Sequence, residues 1–170
     1  MNKRVGLGIA GLALVAAVWF VWNGDRDVRR INSKLDDLVE LLEKREEHPP
    51  LRMMARSRRV AGFFTPDAEV LLAPVVTRTV GPDELTALHH YAHTQAARLS
   101  VRISDRTLEI NPERDAAVMR FTTRSQFTGH QGQREQRVDE FRLHWAKRDG
   151  DWLIQEAATI PAIRPPRPAS

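Results

Sequence analysis

The last third of the chain decides its fold, and residues 100–159 read SVRISDRTLEINPERDAAVMRFTTRSQFTGHQGQREQRVDEFRLHWAKRDGDWLIQEAAT. Apolar and polar residues alternate with a period of two along four runs, which is typical of β-strands. Turn residues separate the runs, notably Asn111-Pro112 and Asp149-Gly150. The pattern therefore predicts four consecutive antiparallel strands, at 101–110, 116–127, 136–147 and 152–159.

This alternation gives the predicted sheet two unlike faces. One face carries large apolar side chains, among them Phe121, Phe141 and Trp145, and the other is rich in arginine. Because an apolar sheet face has to be covered, we expect helices from the preceding sequence to pack on it. The predicted fold class is α+β, with a curved antiparallel sheet packed on helices in a cone-like arrangement.

The residues before the sheet supply two helices that suit this role. Residues 51–64 carry apolar side chains along one helical face, and Pro82 followed by two acidic residues is a typical helix start. Short apolar runs at 70–72 and 75–76 lie between them. We expect one globular domain over residues 51–160, followed by a disordered Pro-rich tail at 161–170.

The N-terminal residues predict a membrane anchor. Residues 5–22 contain no charged side chain, a length that matches the hydrocarbon core of a bilayer. Trp19 and Trp22 stand where a signal-peptidase site would need small residues, so the segment is interpreted as an uncleaved transmembrane signal anchor at 1–24. We expect a single-pass protein of the bacterial inner membrane with its C-terminal domain in the periplasm.

Residues 25–48 are predicted to form a short coiled-coil stalk. Apolar residues recur there at heptad spacing, which indicates a homodimer: Val28, Ile31, Leu35, Leu38 and Leu42. The stripe covers fewer than three heptads. An amphipathic helix packed on its own C-terminal domain is therefore an open alternative.

The domain resembles the nuclear transport factor 2-like superfamily, the α+β cone of ketosteroid isomerases and SnoaL-like polyketide cyclases. The matching stretches are FFTPDAEVLLAPVV at 63–76, GPDELTALHHYA at 81–92, LSVRISDRTLEI at 99–110 and FRLHWAKRDGDWLIQEA at 141–157. In the catalytic members, this resemblance implies a general-base carboxylate on the short strand near residue 72. Here Leu72 and Ala73 occupy that position, so we expect no enzymatic activity.

Other side chains suggest binding and not catalysis. If the cone encloses a pocket, its ligand would lie against Tyr91, Phe121, Phe141 and Trp145. The basic sheet face could bind an acidic partner or a lipid headgroup, or it could be an ordinary solvated face; its residues are Arg102, Arg120, Arg124, Arg142 and His144. His89 and His93 share a helix face, but no third ligand is evident, so we expect neither a metal nor a cofactor.

These observations predict a membrane-anchored, non-catalytic binding or assembly module with an envelope protein as its partner. The alternative is a SnoaL-like enzyme or carrier for a hydrophobic small molecule. Basic and acidic residues alternate along the chain and the net charge is only +4, which does not indicate nucleic-acid binding.

Overall fold

The computed structural model describes residues 26–47, 49–72 and 80–160. The predicted anchor at 1–24, the short run at 75–76 and the tail at 161–170 lie outside these ranges, as does Ala73. Within them, no helix combines the length and the apolar character needed to cross a bilayer.

Three helices and five strands make up the described chain. Helix α1 covers residues 26–42 of the described part. The remaining elements are α2 (Pro50–Ala61), β1 (Phe64–Leu71), α3 (Pro82–Gln95), β2 (Ala96–Ile110), β3 (Ala116–Gly129), β4 (Arg134–Arg148) and β5 (Asp151–Ile160).

The strands form one sheet in the order β1-β5-β4-β3-β2. Strands β2 to β5 pair antiparallel in sequence order, which confirms the predicted meander. Strand β1 differs from the prediction of a purely antiparallel sheet, because it pairs parallel with β5. The long connection through α3 and three further strands lets the two meet side by side.

The apolar sheet face forms the core, as the alternation predicts. Strand β3 buries three side chains on this face, those of Ala117, Met119 and Phe121. Their partners on the neighbouring strand β4 are, in the same order, Trp145, Leu143 and Phe141. Helix α3 packs against α2, β1 and β2. The domain is therefore an α+β fold with a curved five-stranded sheet on helices.

Helix α1 spans two compact units, an N-terminal unit that ends at Leu35 and a main unit that starts at Asp36. In the N-terminal unit Ile31 and Leu35 are buried and Val28 is 39% exposed. In the main unit Leu38 is buried within the single chain, as the amphipathic-helix alternative requires. Dimerisation through the heptad stripe stays a prediction.

Candidate functional site

The C-terminal end of α1 is held by side chains of α2 and α3. The last four carbonyls of a helix have no partner within it. Here Val39 O accepts a hydrogen bond from Glu43 N at 3.0 Å. Arg56 Nη2 of α2 donates to the carbonyls of Glu40 and Leu41, at 2.8 and 3.2 Å, and to Glu43 O at 3.3 Å. A guanidinium at this end also complements the negative end of the helix dipole.

Two histidines one turn apart on α3 complete this cap. His89 Nε2 donates to Leu41 O and His93 Nε2 donates to Leu42 O, both at 3.0 Å. The rings lie 4.3 Å apart and both are buried. Burial lowers the pKa of His89, and burial together with the neighbouring His89 lowers the pKa of His93 to about 4. Both rings are therefore neutral at pH 7 and act as structural donors.

Ser57 and His89 resemble a nucleophile and base pair, with Ser57 Oγ 2.9 Å from His89 Nδ1. The serine is 0% exposed, so no substrate can reach its hydroxyl. The other ring nitrogen of His89 contacts a carbonyl, where a catalytic histidine would be oriented by a carboxylate. This pair therefore stabilises the packing of α2 against α3.

Lys44, just after α1, makes the reciprocal contact with the end of α3. It is 4% exposed, and its Nζ donates to His93 O at 2.9 Å and to Ala96 O at 2.6 Å. Its backbone pairs with Leu99 of β2 in both directions, at 2.8 and 2.9 Å. The segment around residues 40–44 is thus fixed to α2, α3 and the first strand of the meander.

This fixed segment forms one wall of a cavity of about 920 Å³. Helix α2 and strand β2 supply the other walls. The lining residues are Asp36, Val39, Glu40, Glu43, Arg45, Glu46, Arg56, Ile103 and Arg106. Four acidic residues and three arginines therefore line one space, together with the apolar residues Val39 and Ile103.

Glu43 is the least exposed of the four acidic residues that line the cavity. Its side chain is 17% exposed, compared with 63% for Asp36. Its Oε1 accepts a hydrogen bond from Val101 N at 3.4 Å, and its Oε2 lies 2.8 Å from Arg45 Nη2. The backbone amide of Val101 and the guanidinium of Arg45 therefore fix the direction of this carboxylate in the cavity wall.

Arg106 faces the same cavity from β2. Its Nη2 lies 2.7 Å from Asp36 Oδ1, and its side chain is 28% exposed. Because the aspartate is largely exposed, an anionic oxygen of a ligand can replace it as the partner of the guanidinium. The cavity lining therefore combines a largely shielded carboxylate with a guanidinium group.

Sequence reasoning missed this site because residues 36–46 were interpreted as part of a stalk. Their acidic side chains then counted as its solvated face. The shortness of the heptad stripe was the one signal in the sequence that favoured a helix packed on the domain.

The residues predicted to line a pocket lie elsewhere, and none of them borders this cavity. Tyr91 is 64% exposed on α3, whereas Phe121 and Trp145 are buried in the core. Phe121 stacks on Phe141, with ring centroids 5.7 Å apart. Ligand binding by these four residues stays a prediction.

The position expected to hold a catalytic carboxylate lies at the end of β1. Leu71 there is 40% exposed, and Leu72 forms a bridge beyond the strand. Asp67 and Glu69, the nearby acids, are exposed on β1. Within the described ranges, no cluster of three or more His, Cys, Asp or Glu side chains is arranged to hold a metal ion.

Comparison with known proteins identifies the domain. A family model for the SnoaL-like domain matches residues 54–158, well over half of the chain. The chain belongs to the SnoaL-like domain family. The resemblance to the nuclear transport factor 2-like superfamily is thus confirmed. No curated protein matches this SnoaL-like chain significantly.

Solved structures share the fold of this SnoaL-like protein at low sequence identity. A scytalone dehydratase-like protein of Novosphingobium aromaticivorans has 18% identity and a TM-score of 0.66, covering 86% of this chain and 97% of its own. An aromatic ring hydroxylase-like protein of the same organism has 13% identity and a TM-score of 0.66, with coverages of 82% and 91%. A protein of Xanthomonas campestris similar to a calcium/calmodulin-dependent protein kinase II association domain has 18% identity and a TM-score of 0.62, with coverages of 79% and 89%.

These comparisons contradict the prediction that the protein is not an enzyme, because neighbours of its fold carry the names of enzymatic activities. The prediction rested on two neighbouring positions, where Leu72 and Ala73 stand in place of a carboxylate.

Proposed function

We propose that this SnoaL-like protein is an enzyme that acts on a small organic molecule by general acid–base catalysis in the cavity beside α1. The observation that carries this proposal is the shielded and oriented carboxylate of Glu43 in the wall of that cavity. The enzyme names among its fold neighbours support the same reading.

The lining of the cavity suggests the class of substrate. Val39 and Ile103 offer an apolar surface for a ring or alkyl group, and Arg106 offers a guanidinium for an oxygen that gains negative charge. An enolisable ketone meets both requirements. Glu43 would accept the proton from the carbon beside the carbonyl, and Arg106 would stabilise the resulting enolate oxygen. Delivery of that proton from Glu43 to a different carbon of the conjugated enolate would complete an isomerisation. Its delivery to a departing β-hydroxyl, which leaves as water, would complete a dehydration.

The proposal includes a tether at the membrane. The uncharged stretch at 5–22 and its terminal tryptophans support it, and substrate of apolar character would concentrate at a bilayer. Cell fractionation tests the tether separately: recovery of the full-length protein in the soluble fraction, with residues 1–24 intact, would contradict it.

Proton abstraction can be measured without knowing the natural substrate. In D₂O, the full-length protein should exchange the α-hydrogens of at least one cyclic or aromatic ketone in a panel, with the exchange followed by NMR. Substituting Glu43→Gln removes the proton acceptor and keeps the shape, so we expect the exchange rate to fall on the order of 100-fold.

The matched control is Glu69→Gln, which neutralises an exposed carboxylate on β1 outside the cavity and should leave exchange unchanged. Equal exchange rates for wild type and Glu43→Gln would refute the role of Glu43. A ketone that binds in the cavity without exchange would indicate a carrier and overturn the proposal of an enzyme.

A further inference from the structure

The sheet face that points away from the apolar core carries arginines directly opposite one another. Arg102 of β2 pairs in register with Arg124 of β3, and Arg120 of β3 pairs with Arg142 of β4. The Cβ atoms of directly opposite residues lie about 5 Å apart, and like charges there destabilise a sheet. The cross-strand arrangement is therefore Arg with Arg, where an ordinary solvated face would place Arg opposite Glu.

Acidic residues on this face balance only part of the charge. Arg142 forms an ion pair with Glu156, with Nη2 and Oε1 2.9 Å apart. Glu109 and Glu140 lie opposite the uncharged residues Val118 and Thr122 of β3. Among the residues that the structure describes, Arg102, Arg120 and Arg124 have no acidic group within 4 Å, and all three are exposed. Arg98 of β2 and Arg134 of β4 also lie on this side of the sheet, so the face carries six arginines and three glutamates in all.

The shape of this basic face limits what can bind it. Strands β3 and β4 each have hydrogen-bonded neighbours on both sides, so a peptide cannot add to them as a further strand. The two arginine pairs are four residues apart along β3, or about 14 Å. Val138, opposite Arg124, is 59% exposed and adds an apolar side chain to the patch. A second copy of the chain on the same face would bring six more arginines and only three more glutamates into the contact, so like charges would predominate there.

We propose that this basic face docks on the surface of an anionic lipid bilayer. A bilayer surface is broad, offers many phosphate groups to guanidinium forks and accepts an exposed valine at its headgroup level. Each arginine near such a surface contributes about fivefold to binding, equivalent to about 1 kcal/mol. The face would then hold the domain against the membrane, independently of the chemistry proposed for the cavity.

The absence of cysteine from the natural sequence allows a clean test. Val138→Cys places one thiol within the basic face, and Tyr91→Cys places one on α3, which is also well exposed. The full-length variants are mixed with vesicles of neutral phosphatidylcholine, or with vesicles containing 30% anionic phosphatidylglycerol (an amount on the order of that in anionic leaflets). Labelling by an uncharged, water-soluble maleimide is then timed. The N-terminal segment is present in every variant and meets both vesicle types, so its contribution to membrane binding does not alter the comparison.

We expect anionic vesicles to slow labelling at residue 138 severalfold, neutral vesicles to leave it unchanged, and high salt to abolish the difference. Labelling at residue 91 should not change. When Arg102→Glu and Arg124→Glu are added to Val138→Cys, the concentration of anionic lipid needed for the same protection should rise by at least about 25-fold. The control pair Arg52→Glu and Arg58→Glu, exposed on α2, changes net charge equally and should retain protection.

Three outcomes would overturn the proposal. Residue 138 could label at the same rate with both vesicle types. The α2 pair could lower protection as much as the sheet pair, which would indicate net charge instead of this face. Soluble polyglutamate could protect residue 138 where anionic vesicles do not, which would indicate an acidic polypeptide as the partner. Circular dichroism on each variant shows that it is folded before it is scored.

Discussion

Replacing Lys44 by methionine is expected to lower the free energy of unfolding by about 3 kcal/mol. The ammonium group of Lys44 is buried and donates to His93 O and Ala96 O, the carbonyls where α3 passes into β2. Methionine preserves the length of the side chain but leaves both carbonyls without this donor, and each unpaired buried group costs about 1–3 kcal/mol. Relief from burying the charge offsets part of that cost. Urea unfolding followed by circular dichroism measures the difference.

The control for this prediction is Glu47→Ala. Glu47 accepts from the same ammonium at 2.9 Å, but its side chain is 70% exposed. An exposed ion-pair partner contributes less than about 1 kcal/mol, so this variant should unfold close to wild type. If Lys44→Met proves as stable as wild type, the two carbonyls must find other donors, and the link between α1 and α3 would be weaker than the structure indicates.

Acidification is expected to destabilise the domain between pH 6.5 and about 4. Burial depresses the folded-state pKa of His93 from its ordinary value of 6.5 to about 4, and burial also lowers that of His89. In this window the unfolded chain binds protons that the folded one does not. The contribution of these histidines is therefore complete above pH 6.5 and is lost as the pH falls. Each pKa unit is worth about 1.4 kcal/mol, so His93 alone accounts for a loss on the order of 3 kcal/mol.

Urea unfolding at several pH values measures this dependence. His93→Gln removes the titrating group while its amide can still donate to Leu42 O, so the slope of stability against pH should become smaller. His130→Gln changes an exposed histidine that contacts Thr94 O and should keep the wild-type slope. An unchanged slope in His93→Gln would contradict the role of His93 and assign the acid sensitivity to other groups, such as His89 or carboxylates. The groups whose positive charge disfavours a proton on His93 are Arg56 of α2, Lys44 and, once it is protonated, His89 of α3.

Much of the fold could be predicted from the order of residues because its signals are local. The period-two alternation in residues 100–159 and the turn at Asp149-Gly150 depend on neighbours a few positions apart. Asp149 and Gly150 indeed adopt positive φ values of 51° and 82° at that turn. The role of α1 could not be predicted in the same way. The same spacing of apolar residues occurs in a helix that packs on a partner helix and in one that packs on its own domain.

The sequence by itself determined the α+β class, the antiparallel meander and the two unlike sheet faces. Successive side chains of a pleated strand point to opposite sides, so apolar and polar residues that alternate along the chain are sorted onto different faces. Tertiary structure alone decided that Glu43 meets Arg106 across a cavity, that two α3 histidines cap α1, and that arginines of neighbouring strands stand opposite one another. The physical reason is distance along the chain. These groups are separated by some twenty to sixty residues, and only packing and strand register bring them within reach.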